Sequence, residues 1–478
     1  GSNAEIFSNG LISSLGSIAV RVGDDSTLTN HGDIAGEIEG GNVVSINNTG
    51  NISSDDRTVE VGQDAVIFNS GTILGGWDGI AIGASQRAVV DNTGVLQAGT
   101  GIEVSTGQIR NSGTITANFV GMTIGSNDQD NFAINTGTIT AETFGILMGG
   151  AGQGGRIFNG GTVVSERIGL SVTDANGTVI QNVGTVLADI TGVEIGFTEG
   201  TVRLVNAGLI DAGQETAIAA FNDNDDGGFG HTIINTGDII GLVQLSEGGD
   251  TYNGRNGSLE GRLEGRDGND TLITGADDDE VFGGAGDDVL RGGAGNDALN
   301  GEDGSDEIRG QDGDDTINGG DGLNSLFGGR GDDLIIGGSD RDEVNGGADD
   351  DRIEGNGGDD LLRGDKGEDT IVGGLGNDTV RGGFGDDDLF GNAGDDFLTG
   401  DQGDDLLTGA RGNDRIDGGT GIDTAVYSGD IADYTFLLLN NGDIRITDNV
   451  GNDGVDRVST VEFFEFDDVT VAAADLPF

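Results

Sequence analysis

The 478-residue chain has no Cys, one Pro, one Trp, three Tyr and two His, and its 22 basic residues face 85 acidic ones, a formal charge of −63. Without Cys there are no disulfides, no thiolate metal sites and no Cys nucleophile. The charge excludes a protein that tracks nucleic-acid phosphates or anionic lipid headgroups by its own field, and it invites a cationic partner. No run of about 18 apolar residues is present, so no helix long enough to span a membrane is expected. No cleavable signal peptide is visible at the start. Gly1-Ser2-Asn3-Ala4 reads as the remnant of an expression tag, so the natural chain is expected to begin upstream. With 96 Gly and almost no Pro, the composition fits neither collagen nor an ordinary disordered tail, which leaves internal repetition.

Two repeats meet near residue 250. The first reads aliphatic-x-Asn-x-Gly-x-aliphatic, as in Ile67-Phe68-Asn69-Ser70-Gly71-Thr72-Ile73, and recurs with Asn at 30, 48, 69, 92, 111, 135, 159, 182, 206 and 235. Short alternating runs such as Gly79-Ile80-Ala81-Ile82 lie between the copies. Period-2 alternation broken by Gly and Asn predicts strands and turns. A unit of about 20 residues cannot bury its apolar face alone and must stack on its neighbours. The expectation is a parallel β-helix over 5–246, a rod of about 50 Å at about 4.8 Å per coil. The Asn is expected to stack its amide on those above and below and to take left-handed geometry, with Gly two residues on at positive φ.

The second repeat holds a nine-residue register from Gly265 to Val426, 18 copies without an insertion, as in Gly373-Gly374-Leu375-Gly376-Asn377-Asp378-Thr379-Val380-Arg381. Position 8 is aliphatic throughout, and position 6 is Asp in every copy but the one with Asn324. The acids concentrate here: residues 251–478 hold 56 acidic and 15 basic residues. The pattern Gly-Gly-x-Gly-x-Asp-x-aliphatic-x resembles the repeats-in-toxin (RTX) nonapeptide. That resemblance implies a parallel β-roll in which two nonapeptides make one coil, six residues forming the turn and three the strand, with Ca²⁺ between turns two nonapeptides apart. It implies metal ligation by Asp270, Asp279, Asp288, Asp297, Asp306, Asp315, Asp333, Asp342, Asp351, Asp360, Asp369, Asp378, Asp387, Asp396, Asp405, Asp414 and Asp423.

The chemistry of these residues agrees. Calcium takes six to eight hard oxygens, which Gly-rich turns and carboxylates can supply. Unneutralised carboxylates stacked at about 4.8 Å repel one another, so the calcium-free roll is expected to be unfolded or molten and folding to be coupled to binding. Nine turns on each edge leave eight gaps, so at most 16 ions. Weaker sites are expected near Asn324, near Asp277, Asp340 and Asp349, which replace the Gly at position 4, and near Arg266, which replaces the second Gly.

Residues 247–264 read as a junction, and continuous stacking of helix on roll is expected to hide sheet edges. The tail 427–478 reads as free of nonapeptides and richer in aromatics. It resembles the C-terminal cap of RTX proteins, and Asp475-Leu476-Pro477-Phe478 resembles their uncleaved type I secretion signal. The N-terminal coils resemble the repeats of autotransporter passengers and adhesin-like surface proteins.

Catalytic motifs are scarce. His31 and His231 lie 200 residues apart and outside any His-Glu-x-x-His motif, and no Gly-x-Ser-x-Gly elbow has the required context. The resemblance of a β-helix joined to RTX modules to polysaccharide lyases and mannuronan epimerases leaves an enzymatic alternative open. It would need Arg21, Arg57, Arg87, Arg110, Arg156, Arg167 or Arg203, since the helix has no Lys and no Tyr before Tyr252. Trp77-Asp78 could stack on a sugar, and the insert Asn222-Asp223-Asn224-Asp225-Asp226 could hold a cation. Together the residues predict an all-β chain: a right-handed parallel β-helix stacked on an RTX β-roll, 265–426, with a small β cap. The reading is a monomeric, calcium-dependent structural or adhesin-like protein, exported by type I secretion machinery from a Gram-negative bacterium. Its partners would be calcium and glycans or other cell-surface components, with no nucleic acid.

Overall fold

A computed structural model describes residues 3–125, 131–149, 152–173, 175–196, 200–221 and 228–478. The described residues are all β, with no α-helix and only two 3₁₀ turns, Ile431–Asp433 and Ala473–Asp475. The chain divides into two compact units, Gly1–Glu264 and Gly265–Phe478.

In the first unit each coil closes a strand on the repeated Asn, as in Thr27–Asn30, Ser45–Asn48 and Val66–Asn69. Successive strands pair in parallel without slippage, Leu28 beside Ile46 and Ile46 beside Ile67, so the aliphatics stack inside and are fully buried. Register this exact in side-chain phase follows from the alternation, because a one-residue slip would turn the whole apolar row outward. It also stacks the Asn side chains. The Nδ2 of Asn30 donates to Oδ1 of Asn48 at 2.8 Å, and the chain of amides continues through Asn69, Asn92, Asn111, Asn135, Asn159, Asn182 and Asn206 to Asn235. The expected left-handed geometry is absent: neither these Asn nor the Gly two residues on has positive φ. Gly is required there for closeness instead, since a Cβ on Gly50 or Gly71 would lie 2.0 Å from the carbonyl oxygen of the corresponding Gly one coil before.

Residues 251–264 add Thr251–Asn253, parallel to Thr232–Asn235, and Ser258–Glu260 and Arg262–Asp267, both parallel to Asp238–Gln244. In the second unit every nonapeptide adds a strand that pairs in parallel with a strand 18 residues away. Leu290 lies beside Ile308 on one face and Val281 beside Leu299 on the other. The position-8 side chains, from Leu272 to Ala425, are at most 2% exposed and form the whole interior. Strands are longer than the three residues expected. Val289–Ala294 runs from position 7 through position 3 of the next copy, because pairing resumes beyond the Gly at position 1, Gly293 with Gln311 and Ala294 with Asp312.

The loss of Gly at position 2 is also not confined to Arg266. Glu302, Gln311, Asn356, Asp365, Asn392, Asp401 and Ala410 occupy the same place, and all eight side chains stand at φ between 67° and 91°. That conformation disfavours a Cβ by about 1–2 kcal/mol. Of the three Asp at position 4, only Asp349 takes positive φ.

The tail forms antiparallel strands, Tyr434–Leu438 with Ile444–Asp448, Ile444–Asp448 with Val455–Ser459, and Phe463–Glu465 with Thr470–Ala472. Two of them also extend the roll in parallel: Val455–Ser459 on Arg415–Thr420 and Phe463–Glu465 on Thr424–Val426. Tyr427, Tyr434, Phe436, Phe464 and Phe466 fill the space beneath.

Candidate metal centre

All seventeen predicted aspartates end the tight turn before a strand, and each is at most 3% exposed. Their two oxygens differ. From Asp288 on, one accepts the backbone N–H of the position-6 residue 18 earlier, as when Asp288 Oδ1 takes the N–H of Asp270 at 2.7 Å and Asp378 Oδ1 that of Asp360 at 2.9 Å. The other meets no donor: from Asp288 to Asp423 every position-6 aspartate keeps a buried, unpartnered Oδ2. Such an oxygen is costly unless a cation or a proton satisfies it.

The surroundings of that oxygen favour a cation. A Cβ built on Gly283 would lie 2.4 Å from Asp288 Oδ2 and 2.8 Å from the carbonyl oxygen of Gly301, the equivalent Gly one coil on. Carboxylate and carbonyl thus share a small cradle that only Gly leaves open. Asn324 shows the same cradle with a donor in it. Its Oδ1 accepts the Asp306 N–H at 3.0 Å, and its Nδ2 turns to the carbonyls of Gly322, at 3.3 Å, and Gly320, at 3.5 Å. Where Asp replaces Asn, acceptor faces acceptor, which only a positive charge or a proton can reconcile. No group of three or more His, Cys, Asp or Glu that could hold a metal occurs among the described residues. A cation here would therefore draw its remaining oxygens from the turn carbonyls, as the hard-oxygen preference of calcium permits.

Burial raises these carboxyls far above the usual range. The ladder N–H opposes the rise and neighbouring carboxylates add to it. Asp351 and Asp387 reach about 8, and Asp288, Asp297, Asp333, Asp360 and Asp396 about 7.

Two features escaped the sequence reading. Position-5 side chains form a second, exposed ladder that runs the opposite way: the Asp350 N–H donates to Asp332 Oδ1 and the Asp404 N–H to Asp386 Oδ1. The tail also holds one more nonapeptide, Gly451-Asn452-Asp453-Gly454-Val455-Asp456-Arg457-Val458-Ser459. Asp456 Oδ1 takes the Asp414 N–H at 2.8 Å, Asn413 Oδ1 takes the Val455 N–H at 3.3 Å, and Val458 stacks on Ile416 in the core. On the other edge Glu462 Oε2 takes the Asp423 N–H at 2.9 Å. The signal was the nonapeptide itself, displaced because 24 residues of hairpin intervene after Val426.

The remaining candidates do not assemble. His31 is exposed in its turn, with Nδ1 2.6 Å from Thr49 Oγ1. His231 is buried, its Nδ1 accepts the Val202 N–H, and desolvation lowers it to about 4, so it is neutral. Exposed Trp77 meets the edge of Phe119, with ring centroids 5.3 Å apart. Arg21, Arg57, Arg87 and Arg110 pair with Glu39, Glu60, Asp64 and Asp91 on the outer surface. A groove of about 640 Å³ presents Asp55 and Asp56 but no Arg, and a hollow of about 200 Å³ presents Arg87 without an acid. The acidic insert Asn222–Asp226 lies outside the described residues.

The fold and site together define a parallel β-solenoid whose second unit carries acidic, Gly-rich turns in strict 18-residue phase. Residues 264–425 match the RTX calcium-binding nonapeptide repeat, in overlapping windows from 264–299 to 390–425, and this segment is an array of RTX calcium-binding repeats. No curated protein matches the chain in a sequence comparison. No helix among the described residues is long and apolar enough to cross a membrane.

Proposed function

We propose that the protein is a secreted, non-catalytic structural or adhesin-like protein whose roll folds when calcium enters the turns outside the cell. The observation that carries this reading is the repeated unpartnered Oδ2 facing carbonyls. It makes the calcium-free turn unfavourable in almost every copy and the calcium-bound turn favourable. The ligands are the position-6 aspartates Asp270 to Asp423 with the carbonyls of their turns. At cytosolic calcium the roll stays unfolded and suits an export channel. At the millimolar levels that extracellular calcium modules are tuned to, it closes. The first unit, with its amide ladder and apolar interior, presents the faces that contact glycans or other cell-surface components.

Two measurements test this. Limited proteolysis of the full chain should cut throughout 265–426 in chelator and leave it intact in millimolar calcium; equal resistance in both would refute calcium-triggered folding. Proton NMR of alginate and pectate incubated with the protein in calcium should show unchanged spectra. New unsaturated-uronate or altered anomeric signals would replace the structural role with a lyase or epimerase.

A further inference from the structure

The displaced nonapeptide Gly451–Ser459 does more than end a sheet. Its Gly454, at φ 71°, sits so that a Cβ would lie 1.8 Å from the carbonyl oxygen of Gly412, the same approach Gly421 makes to Gly403 one repeat earlier on the other edge. Asp456 stands where the next position-6 carboxylate belongs and is 2% exposed. Facing it, Asp414 is equally buried and its Oδ2 has no donor. The other charges acting on the pair are those of Asp395 and Asp453, both negative. No cationic side chain is among the charges that act on the two buried carboxylates; the Tyr427 hydroxyl serves Asp456, and Asp414 Oδ2 is left for a proton or an ion to satisfy.

The turn that offers Asp456 is held independently of the roll. Asp448 Oδ1 accepts the N–H groups of Val450 and Gly451, and its Oδ2 accepts that of Asp453. Asp453 is in turn fixed by the hydroxyls of Ser428 and Tyr434. These bonds fix the Gly451–Asp453 end of the turn, and the Asp414 N–H aligns the Asp456 carboxylate, so binding there spends little on ordering the ligand.

We propose that the Gly451–Asp456 turn is the far wall of a further calcium site, closed against the Gly409–Asp414 turn by Asp414 Oδ2, the Gly412 carbonyl and the Asp456 carboxylate. This ion lies outside the 16 gaps that the 18 contiguous repeats provide, and it clamps a segment 42 residues away onto the end of the roll. The inference rests on the calcium reading of the roll, and its test separates the two.

Residues 265–426 contain no Tyr or Trp, whereas Tyr427 is buried beside Asp456 and Asp414 and its ring lies 5.4 Å from that of Tyr434. Tb³⁺ replacing calcium in this site should therefore be sensitised by tyrosine, while ions deep in the roll stay dark. In full-length protein carrying Trp77→Phe and Tyr252→Phe, which leave Tyr427 and Tyr434 as the only donors, tyrosine-excited Tb³⁺ emission is expected. Asp456→Asn should reduce it and lower the bound calcium by one ion. Asp360→Asn, mid-roll, should leave the emission intact. Should Asp456→Asn fail to fold, a Tb³⁺ anomalous difference map of the parent protein decides, with a peak expected between Asp414 and Asp456. Ions along the roll with neither emission nor a peak at the cap would overturn this site alone; no ions anywhere would overturn it together with the calcium reading.

Discussion

The backbone N–H of Asp360 donates to Oδ1 of Asp378 at 2.9 Å, while Oδ2 of the same carboxylate, buried with it, meets no donor. One oxygen ties the coil to its predecessor and the other waits for a charge. Repeated along both edges, that division makes the roll a structure whose backbone register is complete and whose electrostatics are not.

Asn324 supplies the first prediction. Its amide already satisfies the carbonyls that elsewhere face an oxygen. Asp360→Asn should therefore stabilise the calcium-free roll by about 1–3 kcal/mol, the penalty of an unsatisfied buried acceptor, while removing an ion from the calcium-bound one. Asn324→Asp should do the reverse and add one. Chemical denaturation in chelator and calcium counting by native mass spectrometry check both.

Protonation competes with calcium, and the direction is fixed. Burial raises position-6 carboxyls from the ordinary 3.8 in the folded, metal-free turns, to about 6 at Asp279, about 7 at Asp288 and about 8 at Asp351 and Asp387. Between pH 4 and 8 the folded chain therefore binds more protons than the unfolded one, and stability falls as pH rises. In chelator the roll should be most ordered near pH 4 and lose structure as pH passes through 6 to 8. Calcium affinity should climb over the same interval. Circular dichroism at fixed chelator across that range reads the first effect, and calcium titrations at each pH read the second.

In the first unit, Asn111→Ala should cost about 1–3 kcal/mol, because it strands the Oδ1 of Asn135 in a buried row and leaves the Nδ2 of Asn92 with the Gly94 carbonyl alone. The loss should be the same with and without calcium. Thermal melts followed by hydrogen exchange in 88–159 would show it.

Close approach, rather than turn geometry alone, sets the glycines. A Cβ on Gly376, at φ 129°, would lie 1.6 Å from the Gly358 carbonyl oxygen. Gly376→Ala should cost about 3 kcal/mol or more and raise the calcium concentration at which the roll folds. A calcium-dependent folding midpoint measured by circular dichroism checks it.

Much of this was legible in the residues. The nine-residue phase of Asp and aliphatic places the ladders and the interior, since a β-strand admits only one face inward, and the Asn-x-Gly spacing places the amide row. What escaped has physical causes. Asn30 and Gly32 look like a left-handed turn in sequence, yet the space they need is set by the coil beneath, which a linear pattern does not display. Arg266 is not exceptional, since Glu302, Gln311 and Ala410 occupy the same place in the sequence and reach positive φ without Gly. Gly451–Ser459 fell out of phase because a hairpin stands between it and its neighbour in space.

Hydrogen exchange of the full-length protein, read by mass spectrometry over peptides from 265–426 at pH 8, tests the central claim most directly. The account predicts that these amides exchange freely in excess chelator and become protected together as calcium reaches millimolar levels, while the first unit's amide row stays protected in both. Protection of 265–426 in chelator equal to that in calcium would contradict it, since the unpartnered oxygens would then need no ion to be held in place.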